Sequence, residues 1–294
     1  MRGYILGHQR NVLWRSVVSA VAVGLCSLLA AQQSSARPLE DVMAAKSLRV
    51  IAYIDNAPFS WEADGKSKGI DVDIARAIAR EIGVEAEVIL RMPGENEDDD
   101  LRGNVWRGPL TGGGVGDVMM HVPVDREFAE RNKKAVIGGA YFQERVAVAI
   151  HPELTGDKPT FDVFKDQKIS VQIGTVSDYF LMTYLDGALI EKIAHHVKPQ
   201  VGATEFITKD TAAWMGVRSA IEALLHDKGE KAVFVEPSME GIYRSNWIVG
   251  MAWKDDSTDL GTAIQTALDK IRKSGELERI FASYGVSYTS PPQP

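Results

Sequence analysis

Residues 69–83 read GIDVDIARAIAREIG, and residues 84–90 continue as VEAEVIL. In the first stretch isoleucine recurs every four residues from Ile74 to Ile82, which predicts one apolar face of an α-helix. Asp71 is expected to cap the start of this helix, and the closing glycine to end it. The second stretch alternates apolar and acidic residues, which predicts a half-buried strand.

The order of elements in the rest of the chain predicts an α/β fold. A strand is expected at residues 48–53, before the helix, so the three elements form a β-α-β unit of a mostly parallel sheet. The pattern restarts at residues 168–173. A later helix is predicted because Trp214, Val217 and Ile221 recur with helical spacing. Other strands are predicted at residues 118–122, 145–150, 232–235 and 248–253, and other helices at residues 178–185, 214–225, 260–271 and 277–281.

Residues 1–36 have the pattern of a cleavable signal peptide. A positive start without acidic residues is followed by an apolar or small run from Val17 to Ala31, too short for an ordinary membrane span. Cleavage is expected after Ala36, which would also remove Cys26, the single cysteine. We therefore expect a secreted protein without disulfide bonds.

Charge and motif content exclude several classes of function. The 294 residues carry a net charge of −7, and removal of the three leader arginines changes it to about −10, so nucleic acid is not expected as a partner. The histidines lack a metal-binding spacing, and no metal site is expected. No nucleophile motif is present, so the chain is expected not to be an enzyme and to require no cofactor.

Five short stretches of the expected mature chain match one known family, in that family's order. They are NAPFS at residues 56–60, GIDVDIA at 69–75, GDVMM at 116–120, VQIGT at 171–175 and KSGELERI at 273–280. With these stretches the chain resembles the family 3 periplasmic solute-binding proteins that serve ABC importers of amino acids. The resemblance extends over nearly the whole mature chain.

The resemblance implies the type II fold of periplasmic binding proteins, with two α/β lobes joined by a two-strand hinge. Lobe 1 is expected to comprise residues 37–147 and 249–294. Lobe 2, inserted between them, is expected to comprise residues 148–248. Solute would bind in the cleft between the lobes of a monomer.

The same family keeps an arginine for the carboxylate of its ligand, and this implies a role for Arg126. Arg126 follows the strand predicted at residues 118–122, near the family's position. A guanidinium suits the role because it stays charged and offers two parallel donors. The family's Thr-x-x-Arg spacing is absent here, so Arg131 is the alternative.

Three polar residues of the expected second lobe are further candidates for ligand contact. Thr175 and Ser177 lie between a strand and a helix, where free N–H groups and the helix dipole favour an anion. Helix capping is their alternative role. Glu236 lies where amino-acid binders of the family have an aspartate for the ligand ammonium. Its alternative roles are to bridge the lobes or to cap a helix.

Aromatic residues after strand ends predict a stacking surface for the solute. Phe59, Trp61 and Trp106 all lie in the expected first lobe. Their flat faces could stack on a ligand, and core packing is the alternative.

Two stretches of the first lobe are similar to a subgroup associated with quinoprotein dehydrogenases. They are residues 99–107 and 117–123. Such proteins are thought to handle pyrroloquinoline quinone, a planar tricarboxylate. For that ligand Arg107 and Arg126 would be suitable partners.

The sequence thus predicts a binding protein that catalyses nothing. It would capture a small carboxylate-bearing polar solute, either amino-acid-like or a larger organic anion, for an ABC permease and ATPase complex. One alternative is a periplasmic carrier of pyrroloquinoline quinone that serves a quinoprotein dehydrogenase. A second alternative is a dehydratase on the same fold, with Glu236 as its acid or base.

Overall fold

The structure, a computed structural model, describes residues 36–110, 112–236, 238–239, 241 and 244–292. The predicted signal peptide lies, apart from Ala36, outside these residues. Within the described part of the chain, no helix has both the length and the apolar character needed to cross a membrane.

Helices and strands alternate through most of the chain. The helices are α1 (Leu39–Ala45), α2 (Ile70–Ile82), α3 (Glu97–Leu101), α4 (Arg126–Arg131), α5 (Pro152–Thr155), α6 (Val176–Thr183), α7 (Pro199–Ile207), α8 (Arg218–Asp227), α9 (Thr258–Lys273) and α10 (Glu276–Ser283). A π-helical turn (Arg102–Trp106) follows α3, and 3-10 turns are formed by Phe161–Lys165, Tyr184–Gly187 and Ile190–Lys192. The strands are β1 (Ser47–Tyr53), β2 (Asp55–Asn56), β3 (Ser60–Ala63), β4 (Lys66–Lys68), β5 (Glu85–Arg91), β6 (Val118–Pro123), β7 (Ala135–Ile150), β8 (Ile169–Gln172), β9 (Ile193–His196), β10 (Ala213–Val217), β11 (Val233–Val235) and β12 (Asn246–Lys254).

The main sheet has the strand order β5-β1-β6-β12-β7-β10-β8-β9, and β11 pairs with β7. β1 is parallel to both β5 and β6, as the β-α-β pattern predicts. The parallel arrangement returns at β10, β8 and β9. β12 and β7 run antiparallel to their neighbours between these two groups.

The long strand β7 belongs to both parts of the sheet. Its residues Ala135–Arg145 pair with β12. Its residues Val146–Ile150 pair with β10, and the end of the strand also pairs with β11. Arg145 and Val146 therefore mark the point where the chain passes from the first half of the sheet to the second.

Two core clusters accompany these halves. One gathers apolar residues of α2, α9 and α10 around β1 and β12, and another gathers residues of α6, β8, β10 and the end of β7. By its contacts, however, the chain from Ala36 onward forms one unit. The lobe boundaries at residues 147/148 and 248/249 stay a prediction.

The helix predicted within residues 69–83 is confirmed as α2, but its predicted cap is wrong. Ile74 and Ile78 are buried on the apolar face of α2, and Gly83 closes the helix in a left-handed conformation. The residue before the first turn is Gly69, and no side chain caps it. Asp71 is instead buried, with hydrogen-bond partners on β6 and β7.

The predicted helix at residues 214–225 begins too early. Trp214 and Val217 lie in β10, which pairs with β7 and β8, and α8 starts at Arg218. A buried strand is apolar on both faces, so its residues can match helical spacing by chance. Trp214 and Val217 are two residues of such a strand, and their helical spacing is a coincidence.

Candidate functional site

A cavity of about 520 Å³ lies at the carboxyl ends of β1 and β6, and we call it the β1–β6 cavity. Ligands of open α/β sheets bind beyond these strand ends, commonly in cavities of roughly 300–1,000 Å³. Its walls also include residues of α4 and β12. The lining residues are Tyr53, Glu97, His121, Pro123, Asp125, Glu127, Phe128, Arg131, Arg244, Trp247 and Val249.

Two arginines from distant parts of the chain line the β1–β6 cavity. Arg131 ends α4, and Arg244 lies shortly before β12. Their side chains are 58% and 40% exposed, respectively. Arg244 donates to Asp125 at 2.8 Å, whereas Arg131 lies 3.8 Å from Asp98 and over the ring of Phe128. The cavity wall thus carries two guanidinium groups, each close to a carboxylate.

Asp125 holds Arg244 while it caps a helix. Its carboxylate accepts from the backbone N–H of Phe128 at 2.9 Å, at the start of α4. This backbone hydrogen bond, followed by the contact with Arg244, lowers the pKa of Asp125. The carboxylate therefore stays charged and orients the guanidinium of Arg244.

Acidic side chains share the wall with the arginines. Glu97 and Glu127 line the cavity, and the hydroxyl of Tyr53 donates to Asp100 at 2.7 Å. Burial, and then the neighbouring carboxylate of Asp100, raises the pKa of Tyr53 far above its ordinary value. The tyrosine therefore stays a neutral donor, and the wall offers both signs of charge to a solute.

His121 lines the cavity and is hydrogen-bonded to the buried residue Asp71, which in turn is hydrogen-bonded to the buried residue Tyr141. Asp71 is fully buried on α2. The hydroxyl of Tyr141 donates to its Oδ1 at 2.6 Å, and Nδ1 of His121 lies 3.1 Å from its Oδ2. Burial, and then the charge of Asp71, raises the pKa of Tyr141 well above its ordinary value, so this hydroxyl remains a donor.

The predicted aromatic contacts lie elsewhere. Phe59 is 4% exposed and packs beneath His121, with 4.4 Å between ring centroids. Trp61 lies in β3 and meets the ring of Tyr284 edge-on at 5.9 Å. Trp106 ends the π-helical turn and packs against a core cluster.

The two candidate arginines of α4 have different surroundings. The side chain of Arg126 is 89% exposed and lies 3.6 Å from Glu130. Arg131, the alternative, lines the β1–β6 cavity. Arg107 lines a separate cavity of about 490 Å³ together with Arg102.

Thr175 and Ser177 are engaged at the start of α6. The hydroxyl of Thr175 donates to the carbonyl of Gln172 at 2.8 Å and accepts from the N–H of Asp178 at 3.2 Å. Asp178 in turn accepts from the N–H of Gly174 at 2.8 Å. Ser177 is buried. Thr175 therefore has the capping role given above as its alternative.

Glu236 is paired with two arginines. Arg145 of β7 and Arg218 of α8 both donate to its Oε1, the second at 2.9 Å. Glu236 also lines a polar cavity of about 560 Å³, together with Gln143 and Asn246. Among the described residues that line the β1–β6 cavity, Arg131, the alternative to Arg126, is the one that the sequence analysis named. That any of the predicted contact residues binds a ligand stays a prediction.

Sequence reasoning did not single out His121, Arg244 or Trp247 as candidates. His121 lies near the end of the strand predicted at residues 118–122, but its sequence neighbours do not indicate which way its ring points. Arg244 and Trp247 reach the cavity only because β12 pairs with β6. Pairing between strands so far apart in sequence leaves no local pattern.

Comparisons with known proteins concern one segment of the sequence and the fold. Residues 48–102 match the family model of bacterial extracellular solute-binding proteins, family 3. The matched segment runs from β1 through α2 and β5 to the π-helical turn, so it includes Tyr53, Asp71 and Glu97. No curated protein matches the chain in sequence.

Solved structures show the same fold at low sequence identity. An ancestral cationic amino acid solute-binding protein is 20% identical, with a TM-score of 0.64, and the match covers 84% of this chain and 99% of that one. A polar amino acid ABC uptake transporter substrate-binding protein from Streptococcus thermophilus is 13% identical, with a TM-score of 0.69 and coverages of 89% and 94%. The second substrate-binding domain of GlnP from Lactococcus lactis, in its open conformation, is 19% identical, with a TM-score of 0.60 and coverages of 81% and 95%. The predicted type II binding-protein fold is confirmed.

Proposed function

We propose that this chain is a solute-binding protein that captures a small, carboxylate-bearing, amino-acid-like solute in the β1–β6 cavity. The observation that carries the proposal is the pair of guanidinium groups, Arg131 and Arg244, on the wall of that cavity. The segment that matches the family 3 model contributes Tyr53 and Glu97 to the same wall and supports the proposal.

A solute carboxylate suits the chemistry of this wall. Guanidinium groups bind carboxylates through two parallel hydrogen bonds. Arg131 is the more available partner, because it lies 3.8 Å from Asp98 rather than at hydrogen-bond distance. Glu97 and Glu127 supply negative charge for an amino group on the same solute. Cavity walls of both signs favour a zwitterion over a simple anion.

Capture by closure follows from the positions of the two arginines in the chain. Arg131 precedes β7 and Arg244 precedes β12, so the segment between them contains the second half of the sheet. A solute that binds both arginines stabilises whichever arrangement brings them together. To shift the ratio of the closed to the open arrangement from about 1:99 to 99:1, the solute must bind the closed arrangement more tightly by roughly 5.5 kcal/mol.

The wider role that we propose is delivery of the solute to an ABC permease and ATPase complex in the membrane. The protein would act in the periplasm after export, as a monomer, without catalysis and without a required cofactor. The solved relatives whose names state a role in ABC transport of amino acids support this role. The pyrroloquinoline quinone carrier and the dehydratase gain no support from these comparisons.

Binding measurements on arginine variants test the proposal. Calorimetric titration of the purified protein with each of the twenty L-amino acids should identify at least one ligand. Arg131→Ala should then weaken its binding about tenfold or more, because a charge-assisted hydrogen bond contributes roughly 1.5–3 kcal/mol. Arg279→Ala is the matched control, since Arg279 donates to a backbone carbonyl within its own segment, away from the cavity.

The same titration separates the two candidate arginines of α4. Arg126→Ala should bind like the wild type, because this side chain extends into solvent beside Glu130. If Arg126→Ala loses affinity and Arg131→Ala does not, the solute binds elsewhere and the β1–β6 cavity is the wrong site. Wild-type protein that binds none of the amino acids would contradict the solute class.

A further inference from the structure

His121 has an unusual backbone conformation for a residue inside a strand. Its φ is +60°, in the left-handed region that non-glycine residues seldom adopt. The pairing of β6 with β12 shifts register here, because Val122 pairs with Gly250 and Met119 pairs with Ala252. Two residues of β6 therefore lie opposite one residue of β12, as in a β-bulge. Bulges commonly redirect a side chain next to a site.

The side chain of His121 is held at one edge and open at the other. Nδ1 lies 3.1 Å from Asp71, and the ring packs against Phe59. The side chain nevertheless stays 20% exposed and lines the β1–β6 cavity. With Nδ1 turned to the protein interior, Nε2 is the ring nitrogen left for the cavity.

The hydrogen bonds of Asp71 determine which nitrogen carries the proton. Tyr141 donates to one oxygen of Asp71, so the carboxylate acts as an acceptor there. The other oxygen then accepts from Nδ1–H of His121. In a neutral imidazole with Nδ1 protonated, Nε2 carries a lone pair and accepts hydrogen bonds.

We propose that Nε2 of His121 accepts a hydrogen bond from the amino group of the captured solute, and that Asp71 is the positioning residue that fixes this tautomer. The inference rests on the proposed function, since it concerns the same cavity. Glu236, predicted to take the ammonium, already accepts from Arg145 and Arg218 and lines a different cavity. In our proposal Nε2 of His121 therefore takes the role that was predicted for Glu236. The expected solute carries an N–H donor beside its carboxylate.

Nuclear magnetic resonance of the ligand-free protein tests the tautomer. Long-range ¹H–¹⁵N spectra of ¹⁵N-histidine-labelled protein at pH 7.5 should show His121 protonated at Nδ1 only, assigned by the signal that His121→Asn removes. Asp71→Asn should abolish this single tautomer, because the carboxylate acceptor is gone. An Nε2–H tautomer or a doubly protonated ring at this pH in the wild type would overturn the inference.

Titration with the twenty L-amino acids, together with pyrroloquinoline quinone, tests the contact. His121→Asn should weaken binding of the amino acid at least tenfold, because asparagine keeps a donor near Asp71 and has nothing at the position of Nε2. His226→Asn is the control, since His226 lies on α8 at another cavity, and it should bind like the wild type.

The outcomes separate the inference from the proposed function. Equal affinity of His121→Asn and wild type for the same amino acid overturns the inference and leaves the function standing. Binding of the quinone alone also overturns the inference, while capture of a carboxylate stands. Wild-type protein that binds no member of the panel overturns both.

Discussion

The β1–β6 cavity and the cluster around Glu236 contain the same kinds of side chain, yet they differ in how the charges are used. At Glu236 the side chains of Arg145 and Arg218 are only 20% and 22% exposed, and both donate to the same carboxylate. In the β1–β6 cavity Arg131 and Arg244 are about twice as exposed or more. Charges that satisfy one another hold a fold together, whereas charges with a solvated side can exchange water for a ligand.

The Glu236 cluster also reaches the end of the chain. Arg145 donates to the hydroxyl of Thr289 at 2.6 Å, and Glu222, the partner of Arg218, accepts from the N–H of Ser287 at 2.8 Å. These contacts join β7, α8 and the tail after α10 at the point where β7 passes between the halves of the sheet. The cluster therefore restrains this crossing, whereas our proposal places solute binding in the other cavity.

The largest expected effect is on affinity, from removal of both cavity arginines. The double variant Arg131→Ala, Arg244→Ala should lose about 2–5 kcal/mol of binding free energy for the best amino acid ligand. The free energy of unfolding should change little, because both side chains are substantially exposed. Calorimetric titration and urea unfolding of the same sample measure the two quantities. A large loss of stability with unchanged affinity would reverse the roles given to the two clusters.

The opposite result is expected at Glu236. Glu236→Gln removes the charge shared by Arg145 and Arg218, and should lower the free energy of unfolding by about 1–2 kcal/mol, less than a fully buried pair because Glu236 is half exposed. Affinity for the solute should stay within about twofold of the wild type, since Glu236 does not line the β1–β6 cavity. Urea unfolding and titration check both statements. Loss of affinity without loss of stability would restore Glu236 as a ligand contact.

The sequence predicted the elements of this fold better than the roles of its charges. The helix at residues 70–82 was predictable because a regular apolar face reflects burial against one neighbour. Arg126 and Arg131 lie in a single helix, five residues apart, so they point in different directions, but which one faces a cavity depends on how α4 packs. The partners of Glu236 lie 91 and 18 residues away in sequence, and local patterns do not record such pairings.

A smaller effect is expected where the tail meets the Glu236 cluster. Thr289→Val removes the hydroxyl that accepts from Arg145 and should cost about 0.5–1.5 kcal/mol of stability, the usual net value of one hydrogen bond. Thr266→Val is the control, because its hydroxyl bonds only within the exposed face of α9. Urea unfolding of both variants should separate them. Equal stabilities would show that the tail does not stabilise the cluster.

The smallest expected effect is a change in how stability depends on pH, at a residue that lies between the two regions. Glu144 precedes Arg145 on β7, is buried, and accepts from the hydroxyl of Ser219 and the N–H of Arg145. Burial raises the pKa of Glu144 in the folded protein, despite these hydrogen bonds. The folded state therefore binds its proton more tightly than the unfolded state, where a glutamate titrates near ~4.3.

The sign of this effect follows from proton linkage. A carboxyl with a raised folded pKa lowers the free energy of unfolding as the pH rises from about 4.3 through the folded value. Glu144→Gln removes that loss. The stability of the variant relative to the wild type should therefore increase as the pH rises from 4 to 8. Glu153→Gln is the control of opposite sign, because the contact with Lys209 lowers the pKa of Glu153. Urea unfolding from about pH 3 to 8 covers both slopes, because the effect of Glu153 lies at the acid end of this range. A Glu144→Gln slope equal to that of the wild type would mean that Glu144 ionises in the fold without cost.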